Sequence, residues 1–181
     1  MSLCVFVAKN FYIYTMETAF IKTPLGTAKI TGDSNGVASI SILEEGDSRA
    51  TLEQATHITT KIPKELKKAV TQLHDYFEGR RTHFDFELQP QGTEFQQKVW
   101  QVLLEIPFGK TCSYMDLSKK IGDVKAIRAV ASANGKNPLW IVVPCHRVIG
   151  TDGSLTGYAG GLWRKKWLLE HESLAKQQSL F

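Results

Sequence analysis

Long apolar runs are missing from this chain of 181 residues. The longest candidate, Leu3 to Met16, is broken by Lys9 and Asn10 and falls short of the roughly 20 residues that span a bilayer. It also lacks the basic start and small-residue cleavage site of a secretory leader, so a soluble protein with no membrane partner is expected. Cysteine is scarce. Cys4, Cys112 and Cys145 are an odd number at wide spacing, which makes no disulfide framework and fits a reducing cytoplasm, or a nucleus if the cell has one. No Cys-x-x-Cys pair exists and the five histidines are scattered, so neither a local metal site nor a cofactor is expected. Fourteen Gly and six Pro are too few for collagen-like or low-complexity sequence.

What is present, 43% hydrophobic residues over this length, suffices for one large domain or two small ones. Charge is unevenly placed. Residues 1–90 hold 10 Lys plus Arg against 11 Asp plus Glu, a net −1, whereas residues 91–181 hold 12 against 7, a net +5. A polyanion would therefore meet the second half. In the first half, Phe20 to Thr23, Thr27 to Thr31 and Val37 to Leu43 read as strands of an antiparallel meander with turns at Pro24-Leu25-Gly26 and Gly32 to Gly36. Leu66, Ala69, Val70, Leu73, Tyr76 and Phe77 then recur at helical spacing between Pro63 and Gly79. Residues 86–92 read as a linker, placing the domains at 1–90 and 91–181.

The second half is mainly helical. Thr93 with Gln96 forms a capping box ahead of an apolar face of Phe95, Val99, Val102, Leu103 and Ile106. Ser113 to Ile121, a break at Gly122-Asp123 and Val124 to Asn134 make a helix-turn-helix pattern, which also occurs in proteins that do not bind DNA. In its second helix, alanines and one serine surround Arg128. Such a helix either packs closely in a core with Arg128 in solvent, or lies in a DNA groove with Arg128 entering the base stack. Leu139 to Val143 reads as a short strand or extended segment, and Leu162 to Glu172 as a last helix.

Directly after that apolar segment comes Pro144-Cys145-His146-Arg147-Val148. A cysteine there is either a small buried hydrophobe or a nucleophile. A free thiol is only about 3% ionised at neutral pH, so nucleophilic use needs a neighbouring base or cation. In an extended segment adjacent side chains point to opposite faces, so His146 would act on Cys145 through a water or a bend.

These residues resemble the active-site signature of the O6-alkylguanine-DNA alkyltransferases. The resemblance extends through Phe95 to Trp100, Ile106 to Gly109, Ser113-Tyr114, Arg128 to Val130, Gly135 to Pro138 and Tyr158 to Leu162, covering residues 93–173 densely and the first half more loosely. It implies an α+β protein, with an N-terminal ribonuclease H-like antiparallel sheet domain and a C-terminal winged-helix-like domain containing the helix-turn-helix. It further implies direct DNA repair by a monomer. O6-alkylguanine is flipped out of duplex DNA and gives its alkyl group, once, to Cys145, with O4-alkylthymine as a further candidate substrate. By the same resemblance His146, water-linked to the thiol and supported by Glu172, is the base. Tyr114 crowds the phosphate and hydrogen-bonds the extruded base, and Arg128 fills the vacated stack. Asn137 shapes the site, Tyr158 and the Ala159 amide line the pocket and reach O6, and the Cys145 and Val148 carbonyls accept from the guanine amino group.

This chain departs from the family at several positions. Ala159 stands where some relatives have Ser, which removes a hydroxyl but keeps the amide. Trp140 stands beside the pocket where the human member has a smaller proline, and should change steric access. Cys4 is the sole cysteine before Cys112, so the N-terminal zinc site of some relatives cannot be complete. The first 15 residues match nothing recognisable, and Met16 is a second candidate start. Two rival functions are a lesion sensor of the same fold, which transfers nothing and lacks the cysteine, and a Cys-His hydrolase, which would need an oxyanion hole and turnover.

Overall fold

A computed structural model of the protein describes residues 15–43 and 58–178, with the side chains of the last helix as far as residue 173. Cys4 lies outside the described residues. Strands β1 (Glu17–Thr23), β2 (Gly26–Asp33) and β3 (Gly36–Leu43) form an antiparallel meander in the order β1-β2-β3. Alternation buries Ala19 and Ile21 of β1 and Ala28 and Ile30 of β2 on one face. On β3 the buried positions are Val37, Ile40 and Ile42, which breaks a period of two. A bulge explains the break: Thr31 pairs with Ser39 but Gly32 pairs with Val37, so Ala38 is the extra residue. A 3-10 turn (Lys64–Leu66) leads into α1 (Lys67–Phe77), whose Ala69, Val70, Leu73 and Tyr76 are buried in the core.

Residues 86–92 contain no helix, yet they are not detached. Val37 donates to the Glu87 carbonyl at 2.9 Å and accepts from Gln89 at 2.8 Å, adding a short parallel partner to β3. Helix α2 (Glu94–Leu104) opens on the expected capping box of Thr93 and Gln96. Its buried face differs from expectation: Phe95 is 36% exposed, and Trp100 takes the inward place beside Val99 and Leu103. The indole can be buried because its Nε1 donates to the Ala133 carbonyl at 2.9 Å. Strand β4 (Cys112–Ser113) is followed by α3 (Tyr114–Ile121), capped by Ser113 and Asp116 and ended by Gly122 at φ 95°. Asp123 caps a 3-10 turn (Val124–Ala126) before α4 (Ile127–Gly135).

The expected short strand or extended segment over Leu139 to Val143 is not formed. Leu139 makes a single parallel bridge to Ile40, after which the chain reverses: Val142 donates to Trp140 at 2.8 Å and Val143 to Leu139 at 2.9 Å. The side chain of Asn137 overrides the strand preference of this apolar run. Its Oδ1 accepts from the Leu139 amide at 2.9 Å and its Nδ2 donates to the Val143 carbonyl at 2.8 Å. The reversal holds Ile141 at φ 74°, a conformation costing a β-branched residue about 1–3 kcal/mol. Burial of the Ile141 side chain to 1% exposure offsets that cost. Cys145 therefore starts a 3-10 turn (Cys145–Arg147) instead of ending a strand. Strand β5 (Val148–Ile149) pairs in parallel with β4, and α5 (Leu162–Gln178) closes the fold, longer than expected. Sheet and helical residues share one core, from Ile30 and Tyr76 to Leu139 and Leu168.

Candidate active site

The tight turn carrying Cys145, His146 and Arg147 and the inner face of α5 bring together groups far apart in sequence. Glu172 is fully buried, and both carboxylate oxygens are engaged. Oε1 accepts from His146 Nε2 at 2.8 Å, Arg147 Nη2 at 2.9 Å and the Tyr76 hydroxyl at 2.9 Å. Oε2 accepts from Arg147 Nε at 2.9 Å and the Gly109 amide at 3.1 Å. Burial opposes ionisation of Glu172, but the His146 and Arg147 donors outweigh it and hold its pKa at about 2. An ionised carboxylate can only accept, so His146 donates from Nε2 and presents Nδ1 as a lone pair. That Nδ1 is buried without a hydrogen-bond partner in the protein. Burial also lowers the His146 pKa, which keeps the ring neutral at neutral pH.

Cys145 is 4% exposed. Burial pushes its thiol pKa up, while the Asn137 amide, 3.1 Å from Sγ, and the Lys165 ammonium act in the opposite direction. Lys165 is itself buried, with Nζ donating to the carbonyls of Val148 at 2.6 Å and Thr156 at 2.7 Å. At rest, therefore, Cys145 is a thiol and His146 a neutral imidazole.

A cavity of ≈ 10 Å³ beside Sγ is lined by Asn134, Asn137, Trp140, Gly157, Tyr158 and Ala159. The indole of Trp140 stands 5.5 Å from the Tyr158 ring, centroid to centroid. Gly160 lets the two come this close, because a Cβ there would lie 2.4 Å from Trp140 Cζ3. The Tyr158 hydroxyl is buried against the thiol without an ordinary hydrogen bond, and burial raises its pKa well above the phenol value. Tyr114 lies across the mouth, its hydroxyl 3.4 Å from both the Gly157 carbonyl and Asn134 Nδ2. Arg164 fastens the far lip, donating from Nη1 to the Gly160 carbonyl at 2.8 Å and from Nε to the Leu25 carbonyl at 2.9 Å in the β1–β2 turn.

Cys145, Asn137, Trp140, Tyr158 and Ala159 thus line one cavity, Tyr114 reaches its wall through Gly157 and Asn134, His146 and Glu172 form the bonded pair beside the turn, and Val148 meets the site through Lys165. Arg128 does not join them: it is exposed on α4, among the small side chains Ala129 and Ser132. The sequence reading missed Tyr76, Asn134, Arg164 and Lys165, and left Arg147 without a role. Lys165, Leu168 and Glu172 are spaced by three and four, so a charge at each end of one apolar helix face was an available signal. Tyr76 gave none, because its ring satisfies the apolar period of α1.

Comparison with known proteins gives two family matches. Residues 16–90 match the family described as 6-O-methylguanine DNA methyltransferase, ribonuclease-like domain, and residues 94–174 match its DNA binding domain. A methylated-DNA–protein-cysteine methyltransferase of Mycobacterium bovis is 46% identical over 152 residues, covering 84% of this chain and 89% of that protein. One from Methanosarcina barkeri is 43% identical, covering 84% and 94%. The crystal structure of Mycobacterium tuberculosis O6-methylguanine methyltransferase superposes with a TM-score of 0.76 at 43% identity, covering 89% of this chain and 94% of that one. A structure of Mycobacterium tuberculosis OGT in complex with DNA superposes equally well, at 46% identity over 87% and 93%.

Proposed function

Given that the chain belongs to the 6-O-methylguanine DNA methyltransferase family, we infer how its own residues remove the alkyl group from O6-alkylguanine in duplex DNA and transfer it to Cys145. The Sγ of Cys145 attacks the alkyl carbon in line, an S–C bond forms, and the C–O6 bond breaks. The thiol proton passes to His146 Nδ1, directly or through one water, while Glu172 holds the ring in the tautomer that leaves Nδ1 free. Guanine leaves as its neutral lactam once the imidazolium has given that proton up and a ring nitrogen of the base has taken it, with Tyr114 hydrogen-bonding the base as charge develops. The product is a thioether with no carbonyl for water to attack, so Cys145 is not regenerated and each molecule acts once.

Asn137 orients Sγ and the turn behind it. Tyr158, the Ala159 amide and Trp140 surround the alkyl group, and the free lone pairs of the Cys145 and Val148 carbonyls receive the guanine amino group. A cavity of ≈ 10 Å³ holds no purine, so the lip at residues 157–161 parts from Trp140 to admit the base. Arg128 fills the gap left in the duplex, where its small neighbours allow α4 close approach. Residues 1–90 form the sheet domain and residues 91–181 the DNA-binding and alkyl-acceptor domain of a monomer working in the cytoplasm, or in a nucleus where there is one. No helix among the described residues is long and apolar enough to cross a membrane.

The observation that carries this reading is the buried Cys145 thiol on a pocket wall, one residue before a buried imidazole whose tautomer a buried carboxylate fixes. Mixing the protein with excess duplex containing O6-methylguanine should repair one equivalent and stop, with one methyl mass added at Cys145. Repair beyond one equivalent, or transfer by Cys145→Ala, would refute it. The cysteine also separates this protein from a lesion sensor.

A further inference from the structure

Among the described residues of the sheet half, Tyr76 is the one whose side chain hydrogen-bonds the Glu172 carboxylate. Its hydroxyl is buried at 0% exposure and donates to Glu172 Oε1, the same oxygen that accepts the His146 proton. The ring is held independently of that bond. Phe77, Phe84 and Phe108 surround it at 5.5–6.2 Å, His171 lies at 5.2 Å, and the Tyr76 carbonyl is bonded to His171 Nε2 at 2.7 Å. The aromatic cage therefore needs only a ring, and the hydroxyl is a separate feature with a separate consequence. We propose that Tyr76 is a positioning residue for alkyl transfer, whose hydroxyl orients Glu172 and sets how strongly that carboxylate holds the His146 proton. This rests on the proposed function only in giving the proton relay its purpose.

The reasoning is electrostatic. Three donors share Oε1, and each one draws charge from the oxygen that faces His146. Withdrawing the Tyr76 donor concentrates charge toward the imidazole, stabilises the imidazolium and makes His146 a stronger base that is protonated at higher pH. The other charged and titratable groups around the pair stay in place: Arg147 and Cys145 from the turn, Lys165 and His171 from α5, and Tyr158 from the lip. Burial and the adjoining Glu172 both disfavour ionisation of Tyr76, so it remains a donor throughout the working range.

The test compares wild type, Tyr76→Phe and protein carrying 3-fluorotyrosine at position 76, whose hydroxyl is a stronger donor. Nitrogen-15 NMR of the His146 ring reads its protonation directly, and single-turnover methyl transfer gives the acid limb of the rate profile. Tyr76→Phe should move both upward by about half to one pH unit, a three- to tenfold change in proton affinity, and 3-fluorotyrosine should move both downward. Coincident titrations in the three proteins would overturn the proposal, whatever their melting temperatures, since a purely structural tyrosine alters stability without moving the imidazole. If Tyr76→Phe does not fold, the fluorinated protein decides alone by the direction of its shift. The ring titration needs no alkyl transfer, so an absence of repair would count against the proposed function and leave this comparison standing.

Discussion

Replacing Trp140 should widen the range of alkyl groups this protein accepts. The recess beside Sγ measures ≈ 10 Å³, roughly what one water needs. A methyl group extends little beyond the guanine oxygen and fits with minor adjustment, whereas a benzyl group requires room for a whole ring where the indole now stands. Moving the indole forfeits the burial of a half-buried aromatic, about 1–1.5 kcal/mol. It also forfeits the contact with Tyr158, about 0.5–1.5 kcal/mol. A total near 2 kcal/mol lowers the rate constant about 30-fold. The assay is the ratio of second-order rate constants for O6-methylguanine and O6-benzylguanine oligonucleotides in wild type, Trp140→Ala and Trp140→Pro. Wild type should favour methyl, and both substitutions should shift the ratio toward benzyl by about one order of magnitude or more. A ratio that does not change would show that the indole is not what limits the pocket.

Two further outcomes follow from the same geometry. Arg128→Ala should slow repair in duplex more than reaction with the free alkylated base, because only duplex demands extrusion, and DNA binding should be largely sequence-independent and weaken with salt; equal slowing of both substrates would place Arg128 in the pocket or the fold. Glu172→Gln leaves the Arg147 cation buried without its counter-ion and should cost about 3–5 kcal/mol at neutral pH by chemical denaturation. The folded-state pKa of Glu172 lies below its unfolded value, so its stabilisation is fully present above about pH 4.5 and disappears as pH falls to about 2; a gap between the two proteins that persisted at pH 2 would contradict this.

Some of this molecule could be read from residue order and some could not. The meander, α1 and the Thr93–Gln96 capping box follow from local rules, because turn residues, period-two alternation and Ser/Thr caps act within a few positions. Cys145 and His146 are adjacent and announce themselves. The run Leu139 to Val143 misled, since apolar β-branched residues favour a strand and nothing in their spacing reveals that Asn137 will bond both ends of the segment into a reversal. Phe95 and Trp100 exchanged places for a similar reason: an acceptor at Ala133, 33 residues away, decides which aromatic can be buried. Glu172 lies 26 residues from His146 and Tyr76 lies 96 from Glu172, so neither partnership leaves a mark that spacing could disclose.

The tie made by Arg164 carries a consequence for how such a protein changes over time. One guanidinium grips the carbonyl of Leu25 in a surface turn and the carbonyl of Gly160 at the pocket lip, 139 positions apart in the case of Leu25. Substitutions that shift the β1–β2 turn therefore pull on the lip of the cavity beside Cys145, without touching sulfur, imidazole or carboxylate. Part of what holds the pocket lip in place therefore lies outside the reactive turn, so editing a hairpin can shift the lip that faces Trp140 while Cys145, His146 and Glu172 stay as they are.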